Sequence, residues 1–169
     1  MLKIGDLAPS FCAINQDDVE ICSRDLAGKW IVLYFYPKDL TPGCTTQACD
    51  FTDKQSFFED LDAVILGVSP DDTEKHRKFI DKYDLGITLL SDADKQMCQD
   101  FGVWQLKQFM GKEFMGVVRT TFIINPEGKI AFVWEKVSVR KKKSVKGDKI
   151  EILHVDEVKT QLELLQSEN

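Results

Sequence analysis

Apolar and polar positions along the chain alternate between strand-like runs and helical stripes. Trp30–Tyr36 and Ala63–Ser69 are almost wholly apolar, which is typical of strands buried on both faces of a sheet. Each run precedes a segment with helical periodicity, Pro42 to about Phe58 after the first and Asp72–Tyr83 after the second. This alternation predicts an α/β protein in which helices cover a central sheet.

Shorter patterns complete the predicted order of elements. Turn residues separate two strands near the N-terminus, and Asn125-Pro-Glu-Gly128 separates two more. Asp71 is predicted to cap the helix that follows it, with Phe79, Ile80 and Tyr83 facing the core. The other predicted bounds are Ser10–Ile14, Val19–Cys22, Thr88–Leu90, Lys95–Phe101, Thr121–Ile124, Ile130–Glu135 and a terminal amphipathic helix, His154–Leu165.

The stretch between the first long strand and its helix carries the candidate chemistry. Pro37 and Gly43 are turn residues, Thr41 suits the N-cap, and Pro42 suits the first helical position. Cys44 then falls third in the helix. The first turn of a helix presents free backbone N–H groups and the positive end of the helix dipole, so a thiolate is favoured there over a thiol. Cys44 is therefore a candidate nucleophile, and a small buried hydrophobic residue is the alternative.

Ionisation alone cannot supply the rate of an enzyme. A free cysteine has a pKa of about 8.5, so about 3% is thiolate at neutral pH, and full ionisation gains only about 30-fold. Enzymes supply about a millionfold or more. If Cys44 is catalytic, most of its rate has to come from groups that polarise the substrate.

Cys49 lies five residues after Cys44 in the same predicted helix. On an ideal helix their Cα atoms would be about 8–9 Å apart. A disulfide needs about 4.4–6.8 Å between Cα atoms. The two sulfurs can therefore join only if the start of the helix unwinds, and the spacing predicts a conformational change whenever they do.

This stretch resembles the peroxiredoxins, most closely the bacterioferritin comigratory protein / peroxiredoxin Q branch. Pro37, Thr41 and Cys44 match that family's Pro-x-x-x-Thr-x-x-Cys string, and Cys49 matches its second cysteine. The resemblance implies a thioredoxin-like fold, a mixed central sheet flanked by helices, in a single domain over residues 1–169. Further matching motifs are Gly5-Asp-x-Ala-Pro9, Phe101-Gly-Val-Trp104, Lys107-x-Phe-Met-Gly-Lys112 and Arg119-x-x-Phe-Ile-Ile124.

The resemblance also implies a role for each matching residue. Cys44 would be the peroxidatic cysteine and Cys49 the resolving one. Pro37 would shield the thiolate from water, and the Thr41 hydroxyl would face the substrate. Arg119 would hold both the thiolate and a peroxide oxygen, because a guanidinium is always charged and offers a fixed fork of donors.

The activity implied is that of a thiol-specific peroxidase. It would reduce hydrogen peroxide and organic hydroperoxides through a Cys44 sulfenic acid and a Cys44–Cys49 disulfide, which thioredoxin would recycle. Such an enzyme serves antioxidant defence and cell redox homeostasis. In the resembled branch monomers are frequent, so we expect a monomer, with a weak dimer as the alternative.

Two other classes of function stay open. A thiol–disulfide oxidoreductase similar to thioredoxin usually has two residues between its cysteines, whereas four separate Cys44 and Cys49. Insulin reduction faster than peroxide reduction would favour it. In a non-enzymatic binding or holdase module on the same scaffold, Cys44 would show no preference for peroxide over iodoacetamide.

Composition narrows the setting and the partners. The net charge of −6 argues against non-specific nucleic-acid binding, and no apolar run approaches the length of a membrane span. Five cysteines without a regular framework, and no signal-like layout at the N-terminus, favour a reducing cytoplasmic setting. The chain lacks a phosphate loop and a dinucleotide signature, and His76 and His154 have no partner at ligand spacing. We expect no cofactor and no metal.

Several residues are expected to be structural. Cys12, Cys22 and Cys98 lie among apolar residues and are predicted to be unreactive. Trp104 and Phe109 are predicted to belong to the core or to a pocket wall.

A basic insert at about 138–150 departs from the resembled family, which usually has a short link there. Arg140 to Lys149 holds six basic residues and one acidic residue. With Gly147, the run predicts a solvated hairpin tip or loop. A nucleic-acid or partner-docking patch is the alternative, although no aromatic residue interleaves it. We expect the insert to affect partner choice but not the chemistry.

Overall fold

The computed structural model describes residues 2–168, so Met1 and Asn169 of the predicted domain lie outside the described part. The strands are β1 (Cys12–Asn15), β2 (Glu20–Cys22), β3 (Trp30–Phe35), β4 (Ala63–Ser69), β5 (Thr88–Ser91), β6 (Trp104–Phe109), β7 (Lys112–Val117), β8 (Thr120–Ile124), β9 (Ile130–Trp134), β10 (Arg140–Val145) and β11 (Asp148–Leu153). The helices are α1 (Pro42–Asp53), α2 (Gln55–Asp60), α3 (Thr73–Tyr83), α4 (Gln96–Asp100) and α5 (His154–Ser167).

Seven of these strands form one mixed sheet in the order β2-β1-β5-β4-β3-β8-β9. β3 pairs in parallel with β4, and β4 with β5, whereas β8 runs antiparallel to β3. The other four strands form two separate hairpins, β6–β7 and β10–β11. The predicted α/β class with a mixed central sheet is confirmed.

Strand β3 lies at the centre of the core and is buried along its whole length. Val32 and Tyr34 pack into the cluster that contains residues of α1, α3 and α5. Leu33 and Phe35 pack into a second cluster on the other face, with residues of α4. Because successive side chains of a strand point to opposite faces, an unbroken apolar run is required here, as the sequence predicted.

The helix after β3 begins at Pro42 as predicted, but it does not continue unbroken to Phe58. Lys54, with φ −104° and ψ 6°, separates α1 from α2. Phe51 and Phe58 are both fully buried on either side of this break. The helical spacing of apolar residues is therefore the same before and after Lys54, which is why the pattern predicted one helix.

Two details of α3 differ from the prediction. Asp72, not Asp71, is the N-cap, and its Oδ1 accepts a hydrogen bond of 2.8 Å from Lys75 N. Phe79 is buried as expected, but Tyr83 is 36% exposed at the helix end. There the Tyr83 ring packs edge-on against Phe79, so only part of it is covered.

The β6–β7 hairpin was not predicted, and it carries Phe109 out of the core. Phe109 is 67% exposed, so its assignment to the core or a pocket wall is wrong, whereas Trp104 is half-buried. The turn that follows Phe109 has positive φ at Met110 and Gly111. Such a turn reverses the chain within two residues and leaves its flanking side chains at the tip.

The basic segment forms a hairpin, as predicted. Val145 pairs with Asp148, so Lys146 and Gly147 alone make the loop. Both have positive φ, 52° and 83°. A two-residue loop of this type matches the twist of the flanking strands, and glycine adopts its conformation without steric cost.

Cys12 and Cys22 were predicted to be structural and unreactive, and the structure corrects the second part, because the two sulfurs are joined in a disulfide. They face each other in the β1–β2 ladder with their Cα atoms 4.0 Å apart. Backbone hydrogen bonds join Phe11 with Ser23, one position before Cys12, and Asn15 with Val19, three positions after it. Hydrogen-bonded pairs alternate along an antiparallel ladder, so Cys12 and Cys22 occupy a non-hydrogen-bonded site. Side chains approach most closely at such sites. Cys98 fits its prediction: it is fully buried, and burial raises the pKa of its thiol.

Between residues 2 and 168, none of the helices combines the length and the apolar character that a membrane crossing requires.

His154 opens α5 and is buried between that helix, the sheet and α1. Its Nε2 lies 2.9 Å from Thr121 Oγ1, and its ring packs edge-on against Trp134 and Phe51. Burial lowers the pKa of His154 to about 4, although Glu157 partly opposes that shift. The protein therefore folds around a neutral imidazole.

We expect this histidine to make the protein acid-sensitive. The unfolded chain takes up the proton near pH 6.5 and the folded chain only near pH 4, so the free energy of unfolding falls as the pH drops through that window. His154→Gln should remove about 2 kcal/mol of the loss between pH 7.5 and pH 5. Urea unfolding of both proteins at the two pH values measures this. Equal losses in both would contradict it.

Candidate active site

Cys44 lies third in α1, directly after the loop that leaves β3, and is 2% exposed. Thr41 occupies the N-cap position, as predicted, and its carbonyl accepts a hydrogen bond of 2.9 Å from Thr45 N. Its hydroxyl does not cap the helix, however. Thr41 Oγ1 donates instead to Lys38 O at 2.8 Å, so it braces the loop and keeps its lone pairs free.

Arg119 reaches Cys44 from the segment between β7 and β8. Its Nη2 lies 3.2 Å from Cys44 Sγ, although the two residues are 75 positions apart. A Cβ at Gly43 would lie 3.4 Å from the same Nη2, so glycine leaves room for the guanidinium. A permanent positive charge at this distance stabilises a thiolate on Cys44.

Gln47 holds Arg119 in place, and the sequence analysis missed it. Gln47 is 1% exposed, and its Oε1 accepts a hydrogen bond of 2.5 Å from Arg119 Nη1. The two ends of the guanidinium fork thus contact Gln47 and Cys44. The signal was the three-residue spacing from Cys44, which puts both side chains on one helix face.

A buried network anchors the loop that precedes Cys44, and it too was missed. Asp39 is 1% exposed and accepts a hydrogen bond from Tyr36 Oη. Its other oxygen lies 2.5 Å from His76 Nδ1, and its backbone N–H donates to Asp71 Oδ2 at 2.7 Å. His76 Nε2 lies 2.9 Å from Leu90 O. That carbonyl can only accept, so Nε2 carries a proton.

Asp39, Asp71 and His76 are also close enough to one another to share a cation, with ligand atoms within 4.8 Å. No partner for His76 could be predicted at ligand spacing in the sequence, because the three residues come from separate segments. In this structure His76 Nδ1 is hydrogen-bonded to the Asp39 carboxylate, and Asp71 Oδ2 accepts a hydrogen bond from the Asp39 backbone N–H. We therefore interpret the group as the anchor of the loop that precedes Cys44.

Cys49 lies half-buried on the next turns of α1 and is a free thiol, like Cys44. Both belong to one regular helix, so their Cα atoms are about 8–9 Å apart, as the sequence predicted. Burial raises the pKa of Cys49, and the carboxylates of Asp53 and Asp50 raise it further, whereas Arg140 opposes them. In this closed helix Cys49 is favoured as a neutral thiol.

The predicted site residues therefore fall into three positions. Cys44 and Arg119 are in direct contact. Pro37 and Thr41 lie in the loop that leads to them, each half-buried. Cys49 belongs to the same helix but is out of reach of Cys44 while that helix is intact.

Known proteins match this chain over most of its length. Residues 4–133 match the AhpC/TSA family. The chain belongs to this family. Among its AhpC/TSA relatives, Peroxiredoxin Bcp of Bacillus subtilis is 49% identical over 139 residues, which cover 82% of this chain and 88% of the relative. Peroxiredoxin Bcp of Escherichia coli is 44% identical over 134 residues, covering 79% and 86%.

Solved structures of AhpC/TSA proteins share the fold. A cysteine-to-serine mutant of peroxiredoxin Q from Xylella fastidiosa aligns with a TM-score of 0.85 at 30% identity, over 98% of both chains. The bacterioferritin comigratory protein of Xanthomonas campestris, studied for its alkyl peroxide reduction activity, aligns with a TM-score of 0.81 at 34% identity, over 97% of both. The predicted branch and its thioredoxin-like fold are confirmed, and the chain is a peroxidase of the peroxiredoxin class.

Proposed function

We propose that this chain reduces hydrogen peroxide and organic hydroperoxides with Cys44 as the attacking nucleophile. The observation that carries the proposal is the contact of 3.2 Å between Arg119 Nη2 and Cys44 Sγ at the start of α1. It places a fixed positive charge beside a sulfur that the helix start already favours as a thiolate. The alkyl peroxide reduction activity of the Xanthomonas campestris relative supports the choice of substrate.

In the first step the Cys44 thiolate attacks one oxygen of the peroxide in line with the O–O bond. A sulfur–oxygen bond forms, the O–O bond breaks, and Cys44 becomes a sulfenic acid. The departing oxygen takes a proton and leaves as water or alcohol. Arg119 and the Cys44 backbone N–H would stabilise the negative charge that develops on it. Thr41 Oγ1, whose proton is used by Lys38 O, can accept a hydrogen bond from the peroxide.

Pro37 lies at the start of the same loop, and we propose that it keeps water from the Cys44 thiolate. Together Pro37, Thr41, Cys44 and Arg119 would form the peroxide-binding site.

In the second step α1 opens and the Cys49 thiolate attacks the sulfenic sulfur of Cys44. A disulfide forms and water leaves. A thioredoxin-type dithiol then attacks this disulfide, takes over the bond as its own disulfide, and returns both cysteines to thiols. We place this cycle in the cytoplasm, in antioxidant defence and cell redox homeostasis, in a single-domain protein that acts as a monomer, with a weak dimer as the alternative.

Two measurements test the cycle directly. Peroxide consumption should depend on the protein when thioredoxin and thioredoxin reductase supply electrons. Non-reducing mass spectrometry after one equivalent of peroxide should find Cys44 joined to Cys49. A bridge elsewhere, with this pair left free, would overturn the assignment. Insulin reduction faster than peroxide reduction would favour a thiol–disulfide oxidoreductase instead.

Cys49→Ser should separate the two steps. The variant keeps Cys44 and the residues around it, so we expect the rate at which peroxide oxidises Cys44 to stay within about twofold of the wild type. Without a second sulfur the disulfide cannot form, and steady-state turnover with thioredoxin should stall. Stopped-flow oxidation and the coupled assay measure the two rates. Cys98→Ser is the matched control, because that thiol is fully buried, and it should keep both. Normal turnover in Cys49→Ser would assign resolution to another group.

A further inference from the structure

The β10–β11 hairpin reaches the helix that carries both active cysteines. The family match ends at residue 133, so this hairpin lies beyond it. Arg140, the first residue of β10, donates through Nη2 to Asp50 Oδ1 at 2.6 Å and through Nε to Asp50 Oδ2 at 3.2 Å. Asp50 directly follows Cys49 in α1. The insert was expected not to affect the chemistry, and this contact with α1 is the reason to test that expectation.

Burial on the α1 side makes this contact stronger than an ordinary surface ion pair. The Asp50 side chain is 4% exposed, whereas Arg140 is 43% exposed. Both carboxylate oxygens are held by one planar guanidinium, a geometry that fixes orientation as well as charge. Removing Arg140 would leave a buried carboxylate without that cation, and such a loss is costly.

Neighbouring contacts keep Arg140 in position. Its Nη1 donates to Glu151 Oε1 at 3.3 Å on the paired strand β11. Lys141 bridges to Glu157 of α5 at 3.3 Å, and His154 N donates to Val139 O at 2.9 Å. The hairpin is thereby tied to α5, and α5 packs against the same core cluster as α1.

The ion pair bears on the second step of the proposed cycle. Cys44 and Cys49 can bond only after α1 opens, because their Cα separation of about 8–9 Å in a helix exceeds the reach of a disulfide. Asp50 moves with Cys49 when the helix opens there. Opening that extends from the start of α1 to Cys49 therefore has to break the two hydrogen bonds from Arg140.

We propose that Arg140 is a positioning residue that slows disulfide formation by holding α1 closed through Asp50. The inference rests on the proposed function, since it presumes that Cys49 resolves the Cys44 sulfenic acid. Arg140 leaves the first step alone, because its contacts lie beyond Cys49 and not at Cys44. It keeps the sulfenic acid in place for longer before the bridge closes.

The test compares the two steps in Arg140→Ala and in the wild type. Stopped-flow oxidation of Cys44 should keep its rate. Quenched samples should show the Cys44–Cys49 disulfide forming about 3- to 10-fold faster. Dimedone added during the reaction should trap correspondingly less Cys44 sulfenic acid. Lys142→Ala, an exposed basic residue of the same strand, is the matched control and should match the wild type.

Arg140 also lowers the pKa of Cys49. Its removal would therefore leave less Cys49 thiolate and slow disulfide formation, whereas release of the helix would accelerate it. Asp50→Asn and the double variant Arg140→Ala/Asp50→Asn separate the two. If the ion pair restrains the helix, each single change accelerates disulfide formation and the double variant is no faster than the faster single one. If Arg140 acts only through thiol ionisation, Arg140→Ala slows the step and Asp50→Asn accelerates it. That pattern would overturn the inference.

Three further outcomes would refute either the restraint by Arg140 or the proposed function on which it rests. A disulfide that forms at the wild-type rate in Arg140→Ala refutes the restraint and leaves the proposed function standing. A wild type that forms no Cys44–Cys49 bridge refutes the proposed function itself. Equal changes in both steps, with a lower melting temperature, would show that Arg140 only stabilises the fold.

Discussion

Cys44→Ser should abolish peroxide reduction. The serine hydroxyl is not ionised at neutral pH and is a weaker nucleophile than a cysteine sulfur, even with the Arg119 charge beside it. Serine oxygen also cannot form the sulfenic acid on which the cycle depends. We expect peroxide consumption with thioredoxin and its reductase to fall by at least about 10³-fold.

The similar size of serine and cysteine makes this result easy to interpret. Serine is close in size to cysteine, so α1 and the loop before it should keep their structure, which circular dichroism and the melting temperature can verify. Cys98→Ser, a change of the same kind at a buried thiol away from α1, serves as the control and should keep full activity. Activity of Cys44→Ser near that of the wild type would refute Cys44 as the nucleophile.

Arg119→Leu should slow the oxidation of Cys44 by about 10²- to 10³-fold. The change removes the cation that lies 3.2 Å from Cys44 Sγ and that would meet the departing oxygen. Arg119→Lys keeps the charge but cannot contact Gln47 and Cys44 at once, so we expect it to recover only part of the loss. Stopped-flow measurement of the rate constant for peroxide provides the comparison.

Gln47→Ala supplies the graded control for this prediction. It leaves the guanidinium in place but removes the oxygen that orients it, so a loss of about 10-fold is expected. Rates that fall in the order wild type, Gln47→Ala, Arg119→Leu would support electrostatic assistance. An unchanged rate constant in Arg119→Leu would place the polarising group elsewhere.

Local patterns in the sequence were enough to place Cys44 at the start of α1. Thr41 and Pro42 determine where α1 begins, and counting from them places Cys44 third in the helix. The two long apolar runs gave β3 and β4 for the same reason, since burial on both faces leaves no polar position in the pattern. In each case the evidence lies within a few residues of the feature it predicts.

Contacts between distant segments could not be read in this way. Only the resemblance to a family linked Arg119 with Cys44, because nothing local sets the distance between residues 75 positions apart. The pairing of Asp39 with His76 went unnoticed for the same reason. Even the family resemblance could not predict the contact of Arg140 with Asp50, since the hairpin lies outside the matched residues.

The Cys12–Cys22 bond shows an intermediate case. The hairpin that carries both residues was predicted from its turn, and its register fixes which side chains face each other. Composition argued the other way, because five cysteines without a regular framework favoured a reducing setting, in which disulfides are rare. Pairing of neighbours across a ladder depends on register, which composition does not contain.

The Cys12–Cys22 bond also allows the redox state of the protein to be determined from its number of free thiols. With Cys12 and Cys22 already joined, the sulfhydryl groups left are those of Cys44, Cys49 and Cys98. Closure of the active pair would consume two of them and leave the buried Cys98 alone. A colorimetric titration of the denatured, unreduced chain therefore distinguishes the resting enzyme from the oxidised one by whole equivalents.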